Sequence, residues 1–321
     1  MGTINLIAAL LIAGVLGAPA HAAQSAAYPE RPVRLVIGSA PGSGPDIVAR
    51  VLSERLYKSW NQRIVVDARP GVAGALSAEI VARAAADGYT WLMMTSQLFI
   101  ATQVYKDLKF DLDRDFASIA LIGTVPYVLV VHPQVPAKTV PELIQLARNT
   151  QLRHGSAGAG GGEHLCMVYF LQMAGTQMLH VPYKGIVQAL ADVAGREIHA
   201  TFAVVAAALP MVQGGRVRPI GVTSTKRAPL LPDVPPISDI IPGFENFGWY
   251  SIIAPKGTPT ALLEKISSEV VKAIKEPEFG ETLKVLGIDI VGGSRGELDA
   301  FRKSEAKRMG DIVKAANLEV K

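Results

Sequence analysis

The fold is decided by one stretch near the start of the chain, residues 33–46, which reads VRLVIGSAPGSGPD. Its first five residues are apolar and mostly β-branched, apart from Arg34, and they predict a buried strand. Glycine, serine and proline follow and predict a tight turn. Pro45 suits the first position of a helix, and residues 47–56 continue with apolar residues at helical spacing. The stretch therefore predicts a strand, a glycine loop and a helix in succession.

The same alternation of short apolar runs with amphipathic segments continues along the chain and predicts an α/β fold. Further strands are predicted at residues 64–66, 89–94, 127–131, 151–155, 178–181, 198–202, 217–222 and 249–254. Further helices are predicted at residues 74–86, after the capping pair Thr139 and Glu142, after Thr258 and Pro259, and at residues 295–315. The strands form two series, which indicates two lobes. The spacing leaves open whether the lobes follow one another or one interrupts the other.

The first glycine loop, residues 38–44, is a candidate anion site. Its glycines let backbone N–H groups approach a ligand, and the N-terminus of the following helix attracts negative charge. We expect Asp46, early in that helix, to cap it or to adjust its dipole. Two alternatives stay open. One is a plain tight turn, and the other is a dinucleotide site, although that fingerprint needs a small residue where this chain has Ile47.

A second glycine loop, residues 154–164 (HGSAGAGGGEH), also follows a predicted strand and precedes a helical pattern. Ser156 can donate a hydroxyl hydrogen bond to a carboxylate, and the glycine N–H groups can form a nest around it. The G-x-S-x-G pattern of a nucleophile elbow is absent, and a flexible loop without a ligand is the alternative. Two such loops in two lobes favour a shared binding cleft.

The first 23 residues predict export. Residues 6–16 are apolar or small, and Ala20-His21-Ala22 follows, which is the pattern of a secretory signal peptide. No lysine or arginine precedes the apolar run, which departs from the usual pattern. A buried helix or a membrane anchor is the alternative, but the run is shorter than the roughly 20 residues that a span requires. We therefore expect an exported, soluble protein.

Composition and spacing argue against several functions. The formal charge of +4 favours anionic ligands in general, whereas no basic run with interleaved aromatic residues indicates nucleic acid. The histidines lack the spacing of a metal site, and no set of nucleophile, base and orienting residue is found. Cys166 is the only cysteine, so no internal disulfide forms, and we expect a small buried residue there. The sequence thus predicts no catalytic residue, no metal and no cofactor.

Short motifs occur in a recurring order along the mature chain. They are YPxRPVR (28–34), PGxGxDIVAR (41–50), RPG (69–71), DGYT (87–90), GSxG with HL (155–165), HVPYKG (180–185), LPDVP (231–235) and APxGTP (254–259). In this order and spacing they resemble the solute-binding proteins of tripartite tricarboxylate transporters, the Bug group. The resemblance implies a two-lobed α/β periplasmic binding protein of the type II, Venus flytrap class. It implies a signal peptide (1–23), one discontinuous lobe (24–125 plus 223–321) and a second lobe (126–222).

The resemblance also implies a function. Such proteins bind small carboxylates, including di- and tricarboxylates, acidic amino acids and aromatic acids, and deliver them to the large and small membrane subunits of the transporter. A periplasmic sensor that presents its ligand to a sensor kinase is the alternative. We expect a monomer that is not an enzyme.

The residues that hold the carboxylate follow from the same resemblance. In one lobe they are Ser39, Pro41, Gly42, Ser43 and Gly44, and in the other they are Ser156, Ala157, Gly158, Gly160 and Gly161. Gln97 matches a position that lines the cleft, whereas Tyr183 and Phe202 shape or brace it. Many relatives have phenylalanine and threonine where this chain has Ser39 and Pro45, and serine where it has Gly161. We therefore expect an altered and bulkier carboxylate, with Ser39 and Ser43 partly replacing the lost hydroxyl groups.

Overall fold

The computed structural model describes residues 28–315. The predicted signal peptide, residues 1–23, lies outside these residues. Among the helices of residues 28–315, none is long and apolar enough to cross a lipid bilayer. The chain forms an α/β fold, as the alternation of strand and helix patterns predicts. Its helices pack on two sheets that share one long strand.

The first part of the chain builds parallel strand–helix–strand units. Its elements are β1 (Val33–Ile37), α1 (Gly44–Trp60), β2 (Ile64–Ala68), α2 (Ala75–Ala82), β3 (Thr90–Thr95), α3 (Ser96–Val104) and α4 (Leu112–Asp115). β1 pairs in parallel with β2 on one side and β3 on the other, so the carboxyl ends of these strands share one edge. Pro45 lies in the first turn of α1, as predicted, because its missing N–H costs nothing there. The sequence does not predict α3.

A single long strand, β4 (Phe116–Val131), links the two halves of the fold. Its first part, down to Pro126, pairs with β9 (Phe247–Pro255), and its last part, from Tyr127, pairs with β7 (Ala200–Val204). The strand therefore passes from one sheet into the other between Pro126 and Tyr127. Only its second part is predicted from the sequence, because a proline usually marks the end or the edge of a strand.

The middle of the chain forms the second sheet. Its other elements are α5 (Val140–Asn149), β5 (Arg153–Ser156), α6 (Gly162–Ala174), β6 (Leu179–Pro182), α7 (Ile186–Ala194), α8 (Val205–Gln213) and β8 (Arg218–Val222). β5 is parallel to both β6 and β7, and the strand order is β6-β5-β7-β4-β8. Thr139 accepts a hydrogen bond from the Glu142 N–H at 3.4 Å, which is one half of the predicted capping box.

The chain then returns to the first sheet through β9. The remaining elements are α9 (Thr260–Ile274), α10 (Pro277–Lys284), β10 (Asp289–Gly293) and α11 (Arg295–Ala315). β9 lies between β3 and β4, and β10 pairs with the other edge of β4, which gives the order β2-β1-β3-β9-β4-β10. The sequence does not predict α10 or β10.

Both sheets are covered on both faces. Leu35 and Ile37 of β1 pack with α1 on one face, while Val36 packs with α2 on the other. In the second sheet, Leu129 and Val128 of β4 likewise point into two different clusters. Burying a side chain of this size contributes about 1.5–3 kcal/mol, so the four clusters hold the two sheets rigid beneath their loops. The binding loops are thereby placed on a fixed scaffold.

Candidate ligand-binding site

The first glycine loop joins β1 to α1 at the carboxyl edge of the first sheet. Ser43 is the N-cap residue of α1, but its hydroxyl donates to the Ala40 carbonyl at 2.6 Å and makes no capping bond. The Ser43 hydroxyl is therefore engaged within the loop, and its contact with a ligand stays a prediction. Within residues 28–315, no hydrogen-bond partner is found for the N–H groups of Ser39, Ala40 and Gly44. These donors and the helix N-terminus remain available to an anion.

Asp46 stabilises this loop from the protein side. Its Oδ2 accepts the Gly42 N–H at 2.9 Å and the Arg50 Nε–H at 3.0 Å. The hydrogen bond from Arg50 lowers the pKa of Asp46, against the opposing effect of burial. Asp46 thus holds the loop through Gly42, and the guanidinium of Arg50 offsets its charge. The N-terminus of α1 therefore keeps its attraction for an anion.

The second glycine loop joins β5 to α6 and is hydrogen-bonded within itself. The Gly158 N–H donates to Ser156 Oγ at 3.2 Å, and the Gly161 N–H donates to the Gly158 carbonyl at 3.3 Å. The N–H groups of this loop that find no partner within residues 28–315 are those of Ala157, Ala159 and Gly162. The glycines named from the sequence therefore shape the loop, while neighbouring residues carry the free donors.

Three stacked histidines support the second loop, one each from β5, α6 and β6. The ring centroids of His164 and His180 are 3.9 Å apart, and those of His154 and His180 are 4.9 Å apart. His164 Nδ1 accepts the Gly160 N–H at 3.0 Å, and His180 Nε2 lies 2.7 Å from Ser156 Oγ. His164 is therefore a structural hydrogen-bonding residue of this loop. The N–H of Gly160, which the sequence assigns to the ligand, is taken by this imidazole.

The histidines of the stack are held in the neutral form. Burial, followed by the two neighbouring imidazoles, lowers the pKa of His154 to about 3. Burial and then His180 lower the pKa of His164 to about 4, and burial alone lowers that of His180. A neutral His164 keeps the Nδ1 lone pair that the Gly160 N–H requires. The shape of the loop therefore depends on uncharged imidazoles.

Ser156, whose hydroxyl is predicted to bind the ligand, is bonded within the protein. Ser156 is fully buried, and its hydroxyl donates to the Gly158 carbonyl at 2.9 Å. A serine has one hydroxyl hydrogen, and here it is used inside the loop. Ser156 therefore links the loop to His180, and its contact with a ligand stays a prediction.

Each glycine loop ends beside a tyrosine that comes from a distant strand. A Cβ added to Gly44, the first residue of α1, would lie 2.9 Å from Tyr250 Oη on β9. A Cβ added to Gly162, the first residue of α6, would collide with Tyr127 Oη on β4. Because β9 and β4 are neighbouring strands, the N-termini of both helices approach the same pair of strands. The close approach explains why each helix begins with glycine.

Gln97 belongs to α3, and the second loop lies beside the same helix. Gln97 is exposed in the first turn of α3, directly after the carboxyl end of β3. A Cβ added to Gly160 would lie 4.0 Å from Val104 Cγ1 at the other end of α3. The second loop thus faces the first sheet across α3, and Gln97 lies on the helix between them.

Tyr183 and Phe202 both lie in the middle part of the chain, which forms the second sheet. The Tyr183 hydroxyl donates to Asp192 Oδ2 at 2.7 Å, so the ring braces α7 beside the loop. Phe202 is fully buried between Phe170 and Phe244, with ring centroids 5.8 and 6.5 Å away. A side chain enclosed in the core can brace the cleft, as expected from the sequence, and a direct contact of Phe202 with the ligand stays a prediction.

Sequence reasoning missed one acidic residue at the site, Glu163. It lies in the first turn of α6, half-buried, and its Oε2 would be 3.7 Å from a Cβ on Gly161. Burial raises the pKa of Glu163. Burial and then the Glu163 carboxylate raise the pKa of Tyr250 to about 12, and they raise that of Tyr127 as well. The acid therefore lies near both tyrosines, which are distant in sequence and carry no local signal.

Comparison with known proteins identifies the family. The sequence profile of the tripartite tricarboxylate transporter family receptor (TctC) matches residues 48–318. The chain belongs to this receptor family. The resemblance drawn from the sequence motifs is confirmed. The family consists of solute-binding receptors for transport and not of enzymes, so the expectation of a non-catalytic protein is confirmed and the dinucleotide alternative is not retained.

Individual relatives of this receptor match over nearly their whole length. A UPF0065 protein from the tcbD-tcbE intergenic region of Pseudomonas sp. (strain P51) is 35% identical over 291 residues, 89% of this chain and 87% of that protein. The structure of R. palustris Rpa4515 with adipate is 32% identical, with a TM-score of 0.79, over 90% of this chain and 98% of that one. The structure of MatC from Rhodopseudomonas palustris with bound malate is 26% identical, with a TM-score of 0.73, over 89% and 100%. The two-lobed periplasmic binding protein fold is thereby confirmed.

Proposed function

We propose that this receptor captures a small carboxylate in the cleft between its two glycine loops and delivers it to the membrane subunits of a tripartite tricarboxylate transporter. The observation that carries the proposal is the approach of the N-termini of α1 and α6 to the same pair of strands. The free N–H groups lie on Ser39, Ala40 and Gly44 in one loop and on Ala157, Ala159 and Gly162 in the other. Two sets of oriented donors at helix N-termini suit a carboxylate.

The class of ligand is supported by the relatives. Rpa4515 was solved with adipate and MatC with malate, and each of these molecules is a small aliphatic acid with two carboxylates. We propose the same broad class for this receptor: a di- or tricarboxylate, an acidic amino acid or an aromatic acid. The half-buried Ser39 has a hydroxyl without a partner in the described part of the chain, so it can add a polar contact to a bulkier acid.

A large cavity elsewhere fits this function less well. It has a volume of about 780 Å³ and lies between α3 and α11, lined by Tyr105, Lys106, Arg302 and Lys303 among others. Arg302 is already bonded to Asp113 at 2.8 Å, and none of the loop amides described above lines this space. We therefore place the ligand at the two loops.

The division into lobes is part of the same proposal. The first crossing, between residues 125 and 126, is supported by the change of partner strand at Pro126 and Tyr127. For the return crossing we propose a later point than residue 223. Ile237, Ile241 and Phe244 pack into the core of the second sheet, so the chain leaves the second lobe near residue 246.

Export and partners complete the proposal. We propose that the mature chain works in the periplasm as a monomer, after removal of residues 1–23, and docks on a large and a small membrane subunit. A sensor that serves a sensor kinase would use the same cleft. Genes for membrane subunits beside the gene for this chain would support transport, whereas a histidine kinase gene in that place would support sensing.

The proposal is tested by thermal-shift screening with carboxylates, because a ligand that binds only the folded state raises the melting temperature. The Ala159→Asp variant adds a negative charge to the second loop at an exposed position with ordinary backbone geometry. We expect it to weaken the binding of a dicarboxylate such as adipate, which places a carboxylate at each loop, about tenfold by repulsion. The isosteric Ala159→Asn variant is the matched control and should bind normally. Equal affinities of the two variants, measured by calorimetry, would argue against the loop assignment.

A further inference from the structure

The charge of Glu163 is uncompensated in a site built for anions. Within residues 28–315 its carboxylate forms no ion pair, and its one backbone hydrogen bond comes from its own N–H. Asp46, in the first turn of the corresponding helix of the other lobe, is paired with Arg50 at 3.0 Å. The two helix N-termini of the cleft therefore differ, because one is free of net charge and the other presents a bare carboxylate.

A tyrosine hydroxyl beside Glu163 also lacks a hydrogen-bond partner in the described part of the chain. Tyr127 is only 5% exposed, and within the described residues its hydroxyl makes no hydrogen bond. It lies against Gly162, the residue that precedes Glu163, and 3.4 Å from the position of a Cβ on Gly248. This hydroxyl offers a donor and an acceptor next to the carboxylate.

These two features change what the second loop can accept. The Glu163 carboxylate already accepts a hydrogen bond from the Glu163 backbone N–H at the positive end of α6. A ligand carboxylate would otherwise bind there. A second carboxylate about 5 Å from Glu163 would lose roughly 100-fold in affinity by repulsion at an effective dielectric constant of about 20. An ammonium group in that place would gain from the same interaction, and the Tyr127 hydroxyl could accept one of its hydrogens.

We propose that Glu163 makes this receptor select an acid with one carboxylate, held at the first loop, and one protonated amino group, held at the second. Burial raises the pKa of Glu163, as expected for a carboxylate that lacks a counter-charge in the free protein. The ammonium group of the ligand would supply that charge. This inference rests on the proposed capture of a small carboxylate, and it specifies an amino acid whose two charged ends lie apart.

The test compares acids of matched length and shape by isothermal titration at neutral pH. The three sets are succinate, 4-aminobutanoate and butanoate; adipate, 6-aminohexanoate and hexanoate; and terephthalate, 4-(aminomethyl)benzoate and benzoate. In at least one set we expect the wild-type receptor to bind the amino acid at least tenfold more tightly than the diacid. The Glu163→Gln variant should reverse this order, with a loss of about tenfold for the amino acid and a gain for the diacid.

The matched control is Glu142→Gln, a substitution of an exposed acid in the first turn of α5 in the same lobe. It should leave all affinities unchanged, and thermal melts of both variants check that they fold. A wild-type receptor that prefers the diacid, or a preference that Glu163→Gln leaves unaltered, overturns this inference and leaves the proposed function standing. No binding of any of the acids overturns both.

Discussion

Lowering the pH from 7.5 to 5.5 should weaken the fold through the histidine stack that supports the second loop. His154 and His164 have pKa values of about 3 and 4 in the folded protein, because they are buried and lie beside other imidazoles. In the unfolded chain both return to about 6.5. The unfolded state therefore binds more protons below pH 6.5. The stability from these two residues is complete above pH 6.5 and declines as the pH falls towards 4.

The size of the effect follows from the proton uptake of the unfolded chain. At pH 5.5, each imidazole that stays neutral in the folded protein lowers the free energy of unfolding by about 1.4 kcal/mol relative to its value at high pH. His154 and His164 together therefore cost about 3 kcal/mol, and His180, whose pKa is also lowered, acts in the same direction. A protein of this kind has a free energy of unfolding of about 5–15 kcal/mol, so the loss is a large fraction of the whole.

Urea unfolding at pH 7.5, 6.5 and 5.5, followed by circular dichroism, measures this loss directly. Glu163 and Asp289, whose pKa values are raised by burial, oppose it, so a variant is needed to isolate the histidines. The His164→Asn variant keeps an acceptor for the Gly160 N–H but cannot be protonated. We expect it to be less stable at pH 7.5 and to lose about 1.4 kcal/mol less than the wild type between pH 7.5 and 5.5.

Two results would refute this reasoning. One is a free energy of unfolding that falls by as much in the His164→Asn variant as in the wild type between pH 7.5 and 5.5. The other is an NMR titration in which the ring protons of His154 and His164 respond near pH 6.5. Either result would show that the imidazoles are solvated and that the stack does not hold them neutral.

Two further predictions concern stability away from the loop amides. Ala73 has φ 55° and ψ 25°, a left-handed conformation that is strained for any residue with a Cβ. Ala73→Gly should therefore raise the free energy of urea unfolding by about 1 kcal/mol, and no gain would show that the strain is absent. Phe202→Leu should lower it by about 1–3 kcal/mol, because Phe202 is fully buried, while the order of ligand affinities in calorimetry stays unchanged. A changed order of affinities at unchanged stability would instead indicate that Phe202 contacts the ligand.

Much of the fold could be predicted from the sequence because its strands are short apolar runs bounded by turn residues. β1 and the start of α1 lie where predicted, since strand, turn and helix signals are all local there. The first half of β4 could not be predicted, because Pro126 reads as a strand end. In the structure Pro126 lies where β4 changes sheets, so the N–H that proline lacks is missing at a natural break in the ladder.

The candidate site could be predicted only to the level of loops. Glycine-rich turns between strands and helices mark both loops, but the sequence does not show which N–H groups stay free. That choice is made by partners that the fold brings in, such as His164 for Gly160 and Asp46 for Gly42. Tyr250 and Tyr127 reach the helix N-termini from other strands, so a local pattern cannot reveal them.

The two loops are held in place by different interactions, and these interactions respond differently to pH. Internal hydrogen bonds order each loop before the ligand arrives, which removes an entropy cost from binding. The first loop relies on the ion pair of Asp46 with Arg50, which is insensitive to pH between 5 and 8 because the pKa of Asp46 is lowered. The second relies on neutral imidazoles, whose lone pairs are lost to protons at low pH. Acid should therefore disable the second loop first, and a ligand bound under such conditions would be held by the first loop alone.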